Sequence, residues 1–138
     1  GLTIRRDWDA KPVDANWDWL LVERAFDNIL RNAIRFSPEG GELLVGCHVN
    51  DDFVDISVQD QGPGVPEEEL NRIFDAFTQV DSARDHAAGG YGIGLALVKR
   101  ITELHAGSVL AQNSAPGLKV TLRLPVTPAI TTKSSGKP

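Results

Sequence analysis

The sequence predicts an α/β two-layer sandwich, with one mixed sheet of about five strands and about three helices on one of its faces. Three observations lead there. Segments with a helical apolar period stand beside segments of strict two-residue alternation. The alternating segments come in pairs joined by turn residues. The order strand, helix, hairpin, short helix, loop, helix, hairpin lacks the regular alternation of a doubly wound fold.

Leu2 to Trp8 reads as a short strand. From about Trp17 to Arg35 the pattern is helical, with Val22, Phe26, Ile29, Ala33 and Phe36 forming one apolar stripe. Ser37-Pro38-Glu39-Gly40-Gly41 ends that helix with strong breakers. In Glu42–Val49, Leu43, Val45, Cys47 and Val49 alternate, and in Phe53–Gln59, Val54, Ile56 and Val58 share a face. Asn50-Asp51-Asp52 joins the two as a hairpin. Pro66 and three glutamates open a short helix whose apolar face is Leu70, Ile73, Phe74 and Phe77. Thr78 to Gly90 has no apolar period and reads as a mobile loop. A second long helix runs from about Gly92 to His105, with Leu97, Ile101 and Leu104 on one face. Gly107–Asn113 and Leu118–Leu124 form a second hairpin across Ala115-Pro116-Gly117.

Composition narrows the function classes. The chain has 138 residues, fits one domain and carries a formal net charge of −5, from 14 Lys+Arg against 19 Asp+Glu. Such an acidic domain is a poor candidate for nucleic-acid binding, which rests on basic patches. One cysteine, Cys47, excludes an internal disulfide framework, and its default reading is buried packing. The chain contains no methionine, so a piece of something longer is expected. No apolar run is long enough to cross a bilayer. Residues 1–126 read as the domain and the polar stretch 127–138 as a disordered tail.

Three places carry chemistry. The period of two puts Asp60 on the face of Val54, Ile56 and Val58, toward the core. A buried carboxylate needs a donor, which a ligand amine can supply. Asp60 could equally just start the turn Asp60-Gln61-Gly62-Pro63-Gly64, the commoner role of an Asp. Gly62 and Gly64 permit a tight turn with close backbone approach to a flat ligand. The second place is Gly89-Gly90-Tyr91-Gly92-Ile93-Gly94-Leu95, directly before a helix. Amides there suit a phosphate, against the alternative of a hinge. The spacing fits neither the dinucleotide fingerprint, with Leu95 at the third glycine, nor the P-loop, with Cys47 and His48 at its Lys and Ser/Thr. The third place is a polar stripe of Asn28, Asn32 and Arg35 bordering the apolar stripe. It reads either as a solvated flank or as groups that hold Mg²⁺ and neutralise phosphate charge. His48, His86 and His105 lack a ligand spacing. Trp8, Trp17 and Trp19 suit core or partner packing.

Taken in order, these motifs resemble the catalytic ATP-binding domain of sensor histidine kinases, in the wider family of gyrase B, the Hsp90 chaperones and MutL. Asn28 through Phe36 is similar to the family's N box, Asp60 through Val65 to its first glycine box, Phe74 through Phe77 to its F box and Gly90 through Leu95 to its second glycine box. His105-Ala106-Gly107 is similar to a His-Gly-Gly turn common after the last helix. The resemblance implies a Bergerat-type fold and the cofactors ATP and Mg²⁺. It implies that Asp60 accepts from the adenine amine, Asn32 holds Mg²⁺ with Asn28 nearby, Arg35 sits by the phosphates and Phe36 by the base or ribose. Gly62, Gly64, Val65, Ile73, Phe74 and Phe77 would complete the ATP contacts on one side. Gly90, Tyr91, Gly92, Ile93, Gly94 and Leu95 would do so on the other, with Arg84 reaching from a lid over 78–89. Asn28 stands where the family's ATPases carry a water-activating Glu, which favours a histidine acceptor. Catalysis would rest on Asn28 and Arg35.

The resemblance further implies a transferase in a two-component phosphorelay. Its partners would be the dimerisation and phosphoacceptor domain of the parent chain and a downstream response regulator, with no nucleic acid. The fragment itself would be monomeric, the cytoplasmic part of a membrane-anchored sensor. The competing readings are an anti-sigma-factor-type serine kinase and a degenerate protein-binding module of the same fold.

Overall fold

The computed structural model describes residues 1–9, 13–75 and 92–126. Five strands, β1 (Thr3–Trp8), β2 (Glu42–Val49), β3 (Phe53–Gln59), β4 (Ser108–Asn113) and β5 (Leu118–Pro125), form one sheet in the order β1-β2-β3-β5-β4. β1 is parallel to β2 and the other pairs are antiparallel, so the sheet is mixed, as expected. Helices α1 (Trp19–Phe36) and α2 (Gly92–Leu104) pack on one face. α1 is the crossover that lets β1 and β2 run in the same direction. The expected loop 78–90, the tail 127–138 and His86 lie outside the described residues.

α1 begins where Asp18 accepts the Leu21 amide at 3.3 Å, satisfying one of the orphan donors of the first turn. It ends at Ser37, whose hydroxyl donates to the Ala33 carbonyl at 2.8 Å. Val22, Ala25, Ile29 and Ala33 are buried, while Phe26 and Phe36 of the expected stripe are only half-buried. α2 lies beside α1 in the opposite direction. Near its end the Asp18 amide donates to His105 Nε2 at 2.9 Å, and near its start Asn28 Nδ2 donates to the Gly94 carbonyl at 3.1 Å. His105 Nδ1 is 2.8 Å from the Ile101 carbonyl. Since Nε2 accepts, Nδ1 carries the proton, and His105 is a neutral structural clasp. The face of α2 differs from expectation. Leu95, Val98, Ile101 and Thr102 are buried, Leu97 is half-buried and Leu104 is 60% exposed.

Both hairpins form. At the first turn Asn50 Oδ1 accepts the Asp52 and Phe53 amides at 2.9 and 2.7 Å. The expected short helix is instead two single-turn 3₁₀ segments, Glu67–Glu69 and Arg72–Phe74. Three adjacent glutamates leave too little apolar surface there to bury a longer helix, yet Ile73 and Phe74 are anchored in the core. On the helix side of the sheet Leu43, Val45, Val54, Val58, Val120, Leu122 and Leu124 are buried; Ile56 and Cys47 are half-buried. Burial, then the Asp9 carboxylate, pushes the Cys47 thiol up. The other face is polar, carrying His48, Ser57, Lys119, Thr121 and an Arg123–Asp55 pair with two bonds of 2.8 Å.

Of the two uses expected for the tryptophans, core packing does not hold for Trp8 and Trp19. Trp8 and Trp19 are 48% and 59% exposed. Trp17 is half-buried, stacks against Trp19 with ring centroids 4.9 Å apart, and donates from Nε1 to the Pro125 carbonyl at 2.7 Å.

Candidate functional site

β3 leads directly into Asp60, and the alternation that buries Val54 and Val58 carries its side chain inward. Asp60 is 3% exposed. Oδ1 accepts the Gly62 amide at 2.8 Å and the Leu118 amide at 3.2 Å, and the Asp60 amide donates to the Leu118 carbonyl at 3.0 Å. Among the described residues, Oδ2 receives no hydrogen bond. One oxygen of Asp60 thus organises the turn, as its sequence allowed, and the other is a buried acceptor for which the described residues provide no donor. Burial pushes its pKa above the ordinary carboxylate value, against the pull of the Gly62 and Leu118 amides.

The two box glycines answer to the protein's own backbone. A Cβ at Gly62 would collide with the Phe36 carbonyl oxygen. This brings the end of α1 against the Asp60 turn. Gly64 has φ +76°, and a Cβ there would lie 2.7 Å from Asn113 Oδ1. The close approach expected for a flat ligand is thus occupied by chain at both positions. Gly94 differs, since among the described residues a Cβ there would meet nothing within 4 Å.

Asn28 and Asn32 are half-buried and Arg35 is exposed, on the second half of α1. Because Asn28 donates to Gly94, the N-box helix and the second glycine box form one unit. Val65, Ile73, Phe74 and Leu95 are core residues, and Ile73 and Leu95 are almost fully sealed. Phe77, Arg84, Gly90 and Tyr91 lie outside the described residues, as do the side-chain surroundings of Ile93. No group of three or more His, Cys, Asp or Glu that could hold a metal occurs among the described residues. A cation here would need amide oxygens and ligand phosphates, which suits Mg²⁺ better than a transition metal.

Sequence reasoning missed the partner side of the site. Leu118 supplies both backbone bonds that pin Asp60 to β5. Gly117 has φ +107°, and a Cβ there would overlap the Asp60 carbonyl oxygen. Asn113 grips Val65. The only local signal was the Ala115-Pro116-Gly117 turn, which announces a hairpin but not what it packs against.

A sequence profile described as histidine kinase-, DNA gyrase B- and HSP90-like ATPase matches residues 18–128. The chain belongs to this family. Among its curated relatives are the sensor protein PfeS of Pseudomonas aeruginosa, 45% identical over 104 residues, and the sensor histidine kinase CusS of Escherichia coli K12, 39% identical over 108. These alignments take in 75% and 78% of this chain but 23% and 22% of the relatives, so the chain spans about a quarter of their length. A mycobacterial sensor histidine kinase, MprB, superposes with TM-score 0.78 at 27% identity, covering 92% of this chain and 83% of that one. Full-length ShkA, solved in complex with AMPPNP, superposes with TM-score 0.77 at 29% identity, covering 94% of this chain and 26% of that one. The family assignment matches the ATP-binding fold implied by the four boxes. No helix among the described residues is long and apolar enough to cross a membrane.

Proposed function

We propose that this chain is the ATP-binding catalytic domain of a sensor histidine kinase, acting on Mg²⁺-ATP and passing the γ-phosphoryl group to a histidine on a separate dimerisation domain of its parent protein. The observation that carries the reading is the buried Asp60, whose Oδ2 lacks a donor within the described protein. An adenine exocyclic amine supplies that donor, whereas guanine presents a carbonyl at the same place and would set acceptor against acceptor. Phe36, brought beside the Asp60 turn, would face the base or ribose.

Asn32 would hold Mg²⁺ through its side-chain oxygen, and Arg35 would offset phosphate charge from the same helix. Bound Mg²⁺ would draw charge from the transferring phosphoryl group. Asn28 donates to Gly94 and, as an amide, cannot take a proton from water, which favours an imidazole over water as the acceptor. The curated relatives are sensor kinases, which supports histidine rather than serine. A cytoplasmic position and a response regulator downstream follow from the same reading.

The test is transfer of radiolabel from γ-labelled ATP to a supplied dimerisation domain bearing its histidine. An acid-labile, base-stable phosphoprotein is expected. An acid-stable product would point to serine instead, and no transfer despite ATP binding would remove the kinase assignment.

A further inference from the structure

The loop from Asp60 to Val65 is held at its two ends by different strands. At the Asp60 end, β5 holds it through Leu118, and the Gln61 side chain accepts the Glu42 amide at 2.8 Å. At the Val65 end, among the described residues, the backbone is held by a single side chain. Asn113, the last residue of β4, accepts the Val65 amide on Oδ1 at 2.8 Å and donates from Nδ2 to the Val65 carbonyl at 2.6 Å. A carboxamide thereby makes the reciprocal pair of bonds that one strand residue makes to another. Gly64 completes the arrangement. Its left-handed backbone brings the chain so close that a Cβ would stand 2.7 Å from Asn113 Oδ1 and 3.1 Å from the Gly117 carbonyl oxygen. Glycine at 64 and asparagine at 113 are thus a matched pair, distant in sequence and adjacent in space.

We infer that Asn113 is a positioning residue for base recognition: it fixes the far end of the turn that carries Asp60, so that Oδ2 is presented in one orientation. The inference rests on the proposed adenine-binding role of Asp60. With the clamp released, the Val65 backbone would lose both these bonds, and the far end of the Gly62-Pro63-Gly64 stretch would be held by the buried Val65 side chain without a backbone restraint. Leu118 would still hold Oδ1. The loss should therefore fall on base selectivity more than on the fold.

The experiment is calorimetric titration of the whole 138-residue chain and its variants with Mg²⁺-ATP and Mg²⁺-GTP, alongside thermal melts without nucleotide. Asn113→Ala is expected to weaken ATP binding about tenfold while leaving weak GTP binding unchanged, so that the ATP preference falls. Combined with Asp60→Asn, it should add little further loss, because both act through one contact. Asn113→Asp keeps the shape but sets a carboxylate oxygen against the Val65 carbonyl. Its ATP affinity at neutral pH should fall at least as far as that of Asn113→Ala, again with GTP binding unchanged. Equal losses for ATP and GTP in either variant, or full additivity with Asp60→Asn, would each overturn the positioning role. Wild-type chain that binds no adenine nucleotide would overturn the nucleotide reading itself, and this inference with it. Wild type that binds while Asn113→Ala binds equally well would overturn this inference alone.

Discussion

Where β3 stops and β5 starts, the chain buries a carboxylate, leaves one of its oxygens without a donor among the described residues and fits backbone against backbone at Gly62 and Gly117. At the opposite end of the same sheet, where β1 and β5 stop, it leaves Trp8 and Trp19 about half exposed and pairs its polar groups. The Trp17 indole meets Pro125, and His105 meets both Asp18 and Ile101. The two ends share strands and helices, so fold alone does not explain the contrast. At the first end burial raises the pKa of the carboxylate, and this is where the proposed adenine contact lies. The second satisfies its donors within the chain, the mark of a region whose work is structural.

Substitutions at each end can break or sharpen this contrast. The largest effect is expected from Gly117→Ala, which combines a left-handed backbone with overlap on the Asp60 carbonyl. We expect a loss of about 3 kcal/mol or more in urea denaturation, together with loss of ATP binding. Survival of both would mean the β4–β5 turn does not define the site.

Asp60→Asn separates function from stability. ATP affinity should fall by well over about tenfold, because an amide N–H would then face the adenine amine. Stability of the nucleotide-free chain should hold or rise at neutral pH. The sign follows from the raised pKa of Asp60. Between its unfolded and folded values the native state binds more protons, so this group's contribution to stability declines as pH rises through that window. The advantage of Asp60→Asn over wild type should therefore be larger near neutrality than in acid. Equal urea midpoints for the two proteins at every pH would contradict a burial penalty.

His105→Ala tests the other end. It removes the one hydrogen bond that joins the end of α2 to the start of α1 and a second one to Ile101 within α2, and about 1–2 kcal/mol of stability should go with them. ATP affinity at a temperature where the variant is folded should stay within about twofold of wild type. A large affinity loss would show that the two ends are coupled. The smallest effect belongs to Asp55→Asn on the open face of the sheet. The Arg123 hydrogen bond holds the Asp55 carboxyl below its ordinary range, so its stabilisation is present above the unfolded pKa and is lost as pH falls through the folded value. The pair is partly exposed and screened, so only a slight fall in melting temperature is expected, smaller at high salt.

What could be read in advance follows the same division. Both hairpins were legible because Asn50-Asp51-Asp52 and Ala115-Pro116-Gly117 act on their immediate neighbours. Asp60 was legible because two-residue alternation assigns a face without knowing what lies across it. The buried face of α2 was not. Gly-Ile-Gly-Leu-Ala-Leu-Val is apolar on several sides, and only packing against Ile73 of the second 3₁₀ segment, α1 and the sheet selects Leu95 and Val98 over Leu97 and Leu104. The reasons for Gly62 and Gly64 were equally hidden, since Phe36 and Asn113 approach them from distant parts of the chain. Asn113 gave no signal at all, being one polar residue at a strand end.

The decisive measurement is a calorimetric titration of this chain with ATP and then GTP in Mg²⁺, repeated with Asp60→Asn. If the free oxygen of Asp60 reads the base, ATP binds saturably, GTP binds far more weakly and the substitution removes the ATP signal while the fold persists. Equal binding of ATP and GTP, or undiminished ATP binding by Asp60→Asn, would contradict that role.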